Sequence, residues 1–275
     1  MGLLQNQVAV VTGAGRGIGR AMALALAADG ARVALASRSV EQLAAVAGEI
    51  TTAGGTALCV PTDVADANAV RHMADTVEAG LGPIDLLVNN AGSFFAIGPV
   101  WEVDPARWER DLQVNLFGLF RCCRAVLPGM VVRNSGRIIN VIGGGAGTSF
   151  PYGSGYGSSK AAVTRFTECV ADELRLADSA VAVFSLSPGL VRTELTEFQL
   201  RSPEGRQWMS RIEQMFAEGK DVPPTRAAGL TVALATGRFD RLSGRWFGVT
   251  DDLDAIAAEQ DDILRHDRKT LRFRI

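Results

Sequence analysis

The chain has 275 residues, of which 47% are hydrophobic and 21% charged, and it contains 30 glycines. This length suits one large α/β domain, and the composition excludes disordered and fibrous proteins. The formal net charge of -2 gives no reason to expect nucleic acid or an anionic membrane as a partner. We therefore expect one domain over residues 1–275.

Neither the N-terminus nor the cysteines indicate secretion. Residues 1–7 carry no basic segment, and the apolar run after them is broken at Thr12 and Gly13, unlike a signal peptide or a membrane span. We predict a cytoplasmic protein with no membrane partner and no metal site. The cysteines form no CxxC pair and lie in apolar segments typical of reduced core thiols; they are Cys59, Cys122, Cys123 and Cys169.

Short apolar runs alternate with longer helix-like segments along most of the chain. Strands that alternate with helices indicate βαβ units and a parallel sheet. Because most of the runs are apolar on both faces, we expect helices on each side of a doubly wound sheet of about seven strands. The predicted strands are residues 8–11, 32–36, 57–60, 85–88, 137–141 and 181–186, with residues 244–249 as the seventh.

Two segments depart from this alternation. Residues 194–224 are polar and helix-like, with prolines near the start and at the end, and an excursion of this kind beside a site is often a lid. We therefore predict a substrate lid there. Residues 251–275 are charged and are predicted to form a solvated C-terminal tail, with basic residues Arg268, Lys269, Arg272 and Arg274 near the end.

A glycine-rich turn joins the first predicted strand to an alanine-rich helix over residues 20–28. The absence of side chains at Gly13, Gly17 and Gly19 lets the backbone turn tightly and approach a pyrophosphate, which the helix N-terminus then faces. Ile18 lies inside the same turn. The order of strand, glycine turn and helix favours a dinucleotide-binding, Rossmann-like domain over a turn without a ligand.

The second predicted strand ends in Ala36-Ser37-Arg38-Ser39. An NAD-binding domain normally places a carboxylate here to hold the ribose 2′-hydroxyl, and this chain has none. Arg38 and Arg16 are both placed to pair with the 2′-phosphate of NADP, which a carboxylate would repel. We therefore predict NADP(H) as the cofactor, with Ser37 beside it.

These features resemble the classical short-chain dehydrogenase/reductase family over almost the whole chain. The loop at residues 12–19 resembles the family's TGxxxGxG. The other matching elements are Asp63-Val64 after strand three, Asn89-Asn90-Ala91-Gly92 after strand four, Tyr156 to Lys160 as YxxxK, and Pro188 to Thr193 as PGxxxT. The resemblance implies that the cofactor also contacts Asp63, Val64, Asn90, Ala91, Gly92, Tyr156, Lys160, Pro188, Gly189, Val191 and Thr193.

The tyrosine and lysine of YxxxK suggest acid–base chemistry. Tyr156 and Lys160 are four residues apart, so on a helix they share one face. An ammonium near a phenol lowers the phenol pKa from its usual value of ~10, which makes Tyr156 a proton donor for a carbonyl that receives hydride. The resemblance adds Asn115, which falls where the family has a helix asparagine linked to a proton relay.

One expected residue is missing. The family places a serine about a dozen residues before the tyrosine, where its hydroxyl binds the substrate oxygen, but here Ile142 and Gly143 occupy those positions. Loss of one such donor typically costs ~10²–10³ in rate. Three interpretations remain: backbone N–H groups of the glycine run act as donors, the fold serves other chemistry, or a nearby hydroxyl substitutes, from Thr148, Ser149 or Ser154.

The favoured function is therefore an NADP(H)-dependent oxidoreductase acting on a small, mainly apolar molecule. The alternatives are a redox-neutral isomerase, cyclase or dehydratase, and a cofactor-binding regulatory protein. Helices around residues 106–130 and 157–176 carry excess apolar residues, and the matching helices of the family form a dimer interface, which implies a homodimer or homotetramer. The predicted substrate pocket is lined by Phe94, Phe95, Ile97, Phe150 and residues 194–224.

Overall fold

A computed structural model describes residues 2–272, and a seven-stranded parallel sheet runs through them. The strand order is 3-2-1-4-5-6-7, so the chain reverses direction across the sheet between the first and fourth strands. The predicted doubly wound α/β fold is confirmed, and the predicted strand ends are within two residues of those observed. The strands are β1 (Val8–Thr12), β2 (Arg32–Ser37), β3 (Thr56–Pro61), β4 (Leu86–Asn89), β5 (Arg137–Val141), β6 (Ala182–Ser187) and β7 (Trp246–Gly248).

Helices cover both faces of the sheet. On one face, Met22, Leu43 and Leu230 pack in one apolar cluster, and on the other face Met73 and Val163 belong to a second cluster. Apolar helix side chains thus cover both faces of the apolar strands. The helices are α1 (Gly17–Ala28), α2 (Val40–Thr52), α3 (Ala67–Leu81), α4 (Pro105–Leu112), α5 (Leu119–Arg133), α6 (Ser154–Leu176), α7 (Glu194–Arg201), α8 (Pro203–Trp208), α9 (Ser210–Ala217), α10 (Pro224–Ala235), α11 (Leu253–Ala258) and α12 (Gln260–Arg265).

A π-helical stretch, Gln113–Gly118, joins α4 to α5 in one continuous helix. The sequence did not predict this stretch. Its widened turn carries Asn115, which is only 1% exposed, towards the sheet. The continuous helix, Pro105–Arg133, is long and apolar enough to cross a membrane by length and composition alone, but Cys122 on α5 is buried in the sheet core. Such π-helical insertions frequently occur at functional sites.

The segment predicted as a lid folds into the three short helices α7, α8 and α9. The first of them begins at a capping box, in which the Thr193 hydroxyl accepts from the Thr196 backbone N–H and the Thr196 hydroxyl accepts from the Thr193 N–H. This arrangement satisfies N–H groups that the first turn of a helix otherwise leaves unpaired. The position of α7 is thereby fixed directly after the loop that follows β6.

The C-terminal tail is not a free solvated segment, contrary to the expectation from its charge. After α11 and α12, the chain runs beside β7, and the Trp246 N–H donates to the carbonyl oxygen of Lys269 at 3.1 Å. The Lys269 ammonium lies 4.3 Å from the Trp246 ring and 2.8 Å from the Asp251 carboxylate. Pairing and cation–π contact thus hold a charged segment against the sheet edge. Arg274, also assigned to the tail, lies outside the described residues.

Candidate active site

A cleft of about 1080 Å³ opens at the carboxyl ends of the strands, where the strand order reverses. Open α/β sheets bind their ligands at this place. Ile97, predicted for the substrate pocket, does not line the cleft, and among the predicted catalytic and cofactor-binding residues Asn115 is the one that does not. The cleft brings together the others, namely Gly13, Arg16, Gly17, Ile18, Gly19, Ser37, Arg38, Asp63, Val64, Asn90, Ala91, Gly92, Tyr156, Lys160, Pro188, Gly189, Val191 and Thr193.

The floor of the cleft is a backbone cradle that admits no extra side-chain atoms. Gly13 has a φ of 66°, and a Cβ added there would lie 2.9 Å from the Asn90 side-chain amide. A Cβ on Gly19 would lie 2.2 Å from the Gly13 carbonyl oxygen. Only glycine fits at either position. The bare backbone and the start of α1 together form a surface suited to a pyrophosphate.

Polar groups that lack protein partners lie on the ribose side of the cleft. The Ser37 hydroxyl oxygen is buried and has no hydrogen-bond partner among the described residues. Arg38 is exposed at the cleft wall and forms no ion pair within residues 2–272. An orphaned hydroxyl and a free guanidinium beside a glycine cradle fit an adenine dinucleotide.

Asp63 is held as a carboxylate at the same end of the cleft. Burial acts to raise its pKa, but the N–H of Ala65, the guanidinium of Arg110 and the charge of Arg38 outweigh it, so the pKa lies below its usual value. Arg110 donates to Asp63 at 3.0 Å. The carboxylate therefore remains available as an acceptor for the predicted cofactor.

Arg16 pairs with Glu194, the first residue of α7. The sequence analysis placed this arginine beside the cofactor and did not foresee a carboxylate partner from the lid. The ion pair connects the glycine turn to the lid across the mouth of the cleft, with the Arg16 side chain 53% exposed. An exposed pair of this kind contributes little to stability. Arg16 is thus available to exchange partners.

The position of Tyr156 depends on the absence of a side chain at residue 143. A Cβ added to Gly143 would lie 2.4 Å from the Tyr156 hydroxyl oxygen, a distance that real Cβ contacts do not reach. On the other side, the Phe94 ring stacks on the tyrosine at a centroid distance of 4.7 Å. The phenol ring thus packs on Phe94, and its hydroxyl occupies the space that a side chain at residue 143 would fill.

The expected lowering of the tyrosine pKa is not found in the cofactor-free structure. Burial, with a smaller contribution from the Asp111 charge, raises the pKa of Tyr156 to about 12. The Lys160 ammonium makes its hydrogen bond to the Val141 carbonyl oxygen at 2.9 Å rather than to the phenol, and burial lowers its own pKa to about 8. Both shifts have the same cause, since desolvation disfavours the charged form of either group.

Asn115 positions two parts of the cleft through hydrogen bonds. Its amide donates to the Ser93 carbonyl oxygen at 2.9 Å and to the Ser159 hydroxyl at 3.1 Å, and its oxygen accepts the Ser93 N–H at 2.8 Å. The Ser159 hydroxyl donates in turn to the Tyr156 carbonyl oxygen at 2.7 Å. Asn115 therefore fixes both the loop after β4 and the helix that carries Tyr156.

Asp111 is a site-forming residue that the sequence analysis missed. It is fully buried on α4 and accepts hydrogen bonds from the Ser93 hydroxyl and from the N–H groups of Phe95 and Ala96. Burial raises its pKa, although these hydrogen bonds oppose the effect. The carboxylate thereby holds Phe94 against the tyrosine. An aspartate on an otherwise exposed, polar helix gives no sequence signal for such a role.

The candidates for the missing serine hydroxyl differ in their availability. The Ser154 hydroxyl already accepts from the Trp108 indole at 3.1 Å, and Ser149 does not line the cleft. Thr148 lines the cleft on an exposed loop. Ile142 is 4% exposed and belongs to the apolar core. Of the three hydroxyls considered from the sequence, Thr148 is therefore the best placed.

The cysteines and acidic residues give no sign of a metal centre. Within residues 2–272, no group of three or more His, Cys, Asp or Glu side chains lies close enough to hold a metal ion. The four cysteines are free, and Cys169 is exposed rather than in the core as expected.

Comparison with known proteins shows the family of the chain. The family model for short chain dehydrogenases matches residues 7–203. The chain belongs to this family. Short-chain dehydrogenases are oxidoreductases that bind NAD(P), so the resemblance seen in the motifs is confirmed at the level of the family.

Individual short-chain dehydrogenases match most of the chain. One from Pseudocercospora fijiensis is 34% identical over 266 residues, covering 94% of this chain and 85% of the relative. A 3-oxoacyl-acyl-carrier-protein reductase from Synechocystis is 39% identical over 198 residues, covering 72% and 79%. The solved structure of a metagenomic short-chain oxidoreductase in complex with NADP has a TM-score of 0.70 and 33% identity, covering 85% of this chain and 92% of that chain.

The buried lysine predicts a pH-dependent stability. Its pKa is about 8 in the folded protein, against 10.5 for a lysine in water, so between these values the unfolded chain holds a proton that the folded chain has released. The Lys160 contribution to the free energy of unfolding therefore rises with pH, by up to about 1 kcal/mol per pH unit. In urea denaturation of the cofactor-free protein, the free energy of unfolding of Lys160→Met should fall relative to that of the wild type as the pH rises from about 8 to about 10.

The matched control is Lys220→Met, since Lys220 is exposed on the lid. Its stability difference from the wild type should not change over the same pH range. A Lys160→Met difference that is equally independent of pH would contradict the burial of the ammonium.

Proposed function

We propose that this short-chain dehydrogenase is NADP(H)-dependent and interconverts a carbonyl and an alcohol on a small, mainly apolar substrate. The observation that carries the proposal is the tyrosine hydroxyl, enclosed between Phe94 and Gly143 at the end of the glycine cradle, with the Lys160 ammonium behind it. A proton donor at the inner end of a dinucleotide-shaped cleft suits carbonyl reduction.

NADPH, when bound, supplies the hydride. Gly13, Gly17 and Gly19 would hold its pyrophosphate, and Ser37 and Arg38 its ribose phosphate. The Tyr156 hydroxyl binds the substrate oxygen and gives up its proton as negative charge develops there. In the resting site Lys160 lies 5.6 Å from the centroid of the Tyr156 ring, so its positive charge stabilises the phenolate that remains after the transfer.

The raised pKa of Tyr156 favours the direction of reduction. With a pKa of about 12, the phenol is protonated at neutral pH and is ready to act as an acid. Oxidation of an alcohol requires the phenolate form of Tyr156. Burial disfavours this charged form unless a positive charge in the cleft stabilises it. The apolar wall formed by Phe94, Ile142 and Phe150 favours an apolar ketone over a sugar.

We also propose that the protein acts in the cytoplasm as a homo-oligomer, without nucleic acid or membrane as a partner. Phe117 and Phe120 are 42% and 47% exposed on the continuous helix that carries α5, and Phe120 contacts Phe166 of α6 edge-on at 6.3 Å. A second copy of the chain that packs on this face would cover these rings. A homodimer or homotetramer is the assembly expected.

Removal of the tyrosine hydroxyl tests the catalytic role directly. Tyr156→Phe keeps the ring stacked on Phe94 and removes the proton, so NADPH-dependent reduction of ketones and quinones should fall at least about 10³-fold while NADPH affinity changes less than about twofold. The measurements are NADPH absorbance during turnover and fluorescence titration of the cofactor.

Gly143→Ala is the companion variant, because its methyl group would lie 2.4 Å from the phenol oxygen without altering any donor. We expect turnover to fall here as well, through displacement of the hydroxyl. Full activity on the natural substrate in Tyr156→Phe would overturn the oxidoreductase proposal in favour of redox-neutral chemistry.

Cofactor choice is tested at Arg38, since Arg16 is paired with Glu194. NADPH should bind at least about tenfold more tightly than NADH, which corresponds to about 1.4 kcal/mol. Arg38→Asp should reverse the preference because a carboxylate repels the 2′-phosphate and accepts a ribose hydroxyl. Arg16→Ala serves as the comparison and should have the smaller effect. Equal wild-type affinities for the two cofactors would refute the assignment.

The assembly is tested by placing charge on the exposed aromatic face. Light scattering of the wild type at micromolar concentration should show a dimer or tetramer of the 29.1 kDa chain. Phe120→Asp should shift the population towards the monomer, since a buried unpaired carboxylate is costly at an interface. Val100→Asp, at an exposed site off this helix, is the control. A monomeric wild type would contradict the proposal.

A further inference from the structure

The lid carries an amide side chain into the cleft. Gln199 lies on α7 and is only 3% exposed, yet it lines the same cleft as Tyr156. Apolar lid residues line the cleft beside it, namely Leu195, Phe198, Ile212 and Met215, and so do the polar residues Glu194, Thr196 and Glu197.

The Gln199 amide is not used to stabilise the fold. Its side chain makes no hydrogen bond to any other residue in the part of the chain that the structure describes. Thr196, one turn earlier on the same buried face, shows the contrast, because its hydroxyl donates to the Val191 carbonyl oxygen at 3.0 Å and accepts from Thr193. An amide that lines the cleft on an almost fully buried residue, and that no described protein group satisfies, is left to pair with water or with a ligand in the cleft.

The backbone keeps Gln199 in place. Gly205 of α8 packs so closely on the Gln199 carbonyl group that a Cβ at residue 205 would lie 1.5 Å from the carbonyl oxygen. The Ser202 hydroxyl accepts the Gly205 N–H at 3.0 Å and fixes the turn between the two helices. The backbone that carries Gln199 is therefore held in place beside the cleft.

An apolar cluster lies between the tyrosine and the lid. Phe94, Ile97 and Met209 form its buried part, and Tyr156 and Phe198 pack against it. A ligand that touches both the phenol and the Gln199 amide must therefore have an apolar body with a polar group at each end. Few precisely placed polar groups in an apolar pocket are what give small-molecule sites their specificity.

We propose that Gln199 determines substrate specificity by hydrogen bonding a hydroxyl or carbonyl oxygen at the end of the substrate remote from the reacting carbon. The substrate class is then an apolar ketone with a second oxygen function, larger than a simple ketone. The amide offers both a donor and an acceptor, so it suits either oxygen. This inference rests on the proposed function, since it assumes that Tyr156 marks the reacting end.

The first experiment asks whether the amide is structurally idle. Gln199→Met keeps the length of the side chain and removes its polar atoms, so its Tm in the cofactor-free protein should equal or exceed that of the wild type. Thr196→Val is the matched control and should lower the Tm by about 2–4 °C for each kcal/mol lost with its capping bonds. A loss of Tm in Gln199→Met equal to that in Thr196→Val would overturn the inference.

The second experiment measures recognition with a matched pair of probes, 4-phenylcyclohexanone and 4-(4-hydroxyphenyl)cyclohexanone. Both are titrated calorimetrically into protein saturated with NADP+. This complex can bind a ketone but cannot reduce it. The wild type should bind the hydroxylated ketone about fivefold to tenfold more tightly, as one hydrogen bond allows. Gln199→Met should bind the two alike and retain its affinity for the unsubstituted ketone.

The two ways of failing are distinguishable. Equal affinity of the wild type for the two ketones, including absence of binding by both, overturns the role of Gln199. Reduction of both ketones by NADPH at equal kcat/KM in wild type and variant does the same, while leaving the oxidoreductase proposal standing. A preference for the hydroxylated ketone without any oxidation of NADPH supports the Gln199 site and refutes the proposed function instead.

Discussion

The site depends on the hydrogen bonds that join the ends of β1 and β4. The Thr12 hydroxyl donates to the Val88 carbonyl oxygen and accepts the N–H groups of Asn90 and Ala91, each at 3.0 Å, while the Asn90 amide donates back to the Thr12 carbonyl oxygen. The strands on either side lead in opposite directions across the sheet, so these bonds fix the crevice where the two halves separate. The glycine cradle and the loop that carries Phe94 both start from this junction.

Enclosure of the acid and base sets the chemistry of the inner cleft. A dry environment raises the pKa of Tyr156 and lowers that of Lys160, so burial shifts each group towards its neutral form while Lys160 stays largely protonated at neutral pH. Gly143 makes this enclosure possible because any side chain there would displace the phenol. Gly143, one of the two positions at which the serine was expected, is thus part of the geometry of this site.

The sequence predicted the strands and the doubly wound sheet well because apolar runs that alternate with helices are typical of this fold class, and the glycine turn identified the cleft. It could not predict features that depend on contacts between distant segments. The pairing of Arg16 with Glu194 joins residues 178 positions apart. The hydrogen bond from Lys160 to the Val141 carbonyl oxygen sets the lysine apart from the phenol, which helical spacing alone does not reveal. Charge patterning likewise hid the docking of the tail through Lys269.

The lid and the inner cleft both contain polar groups that are removed from water, which costs free energy. The Ser37 hydroxyl is buried without a protein partner between residues 2 and 272, and Gln199 is 3% exposed on the cleft wall. The cleft is therefore least stable when empty, and each polar group left unpaired in the free protein becomes a source of affinity and selectivity for what fills it.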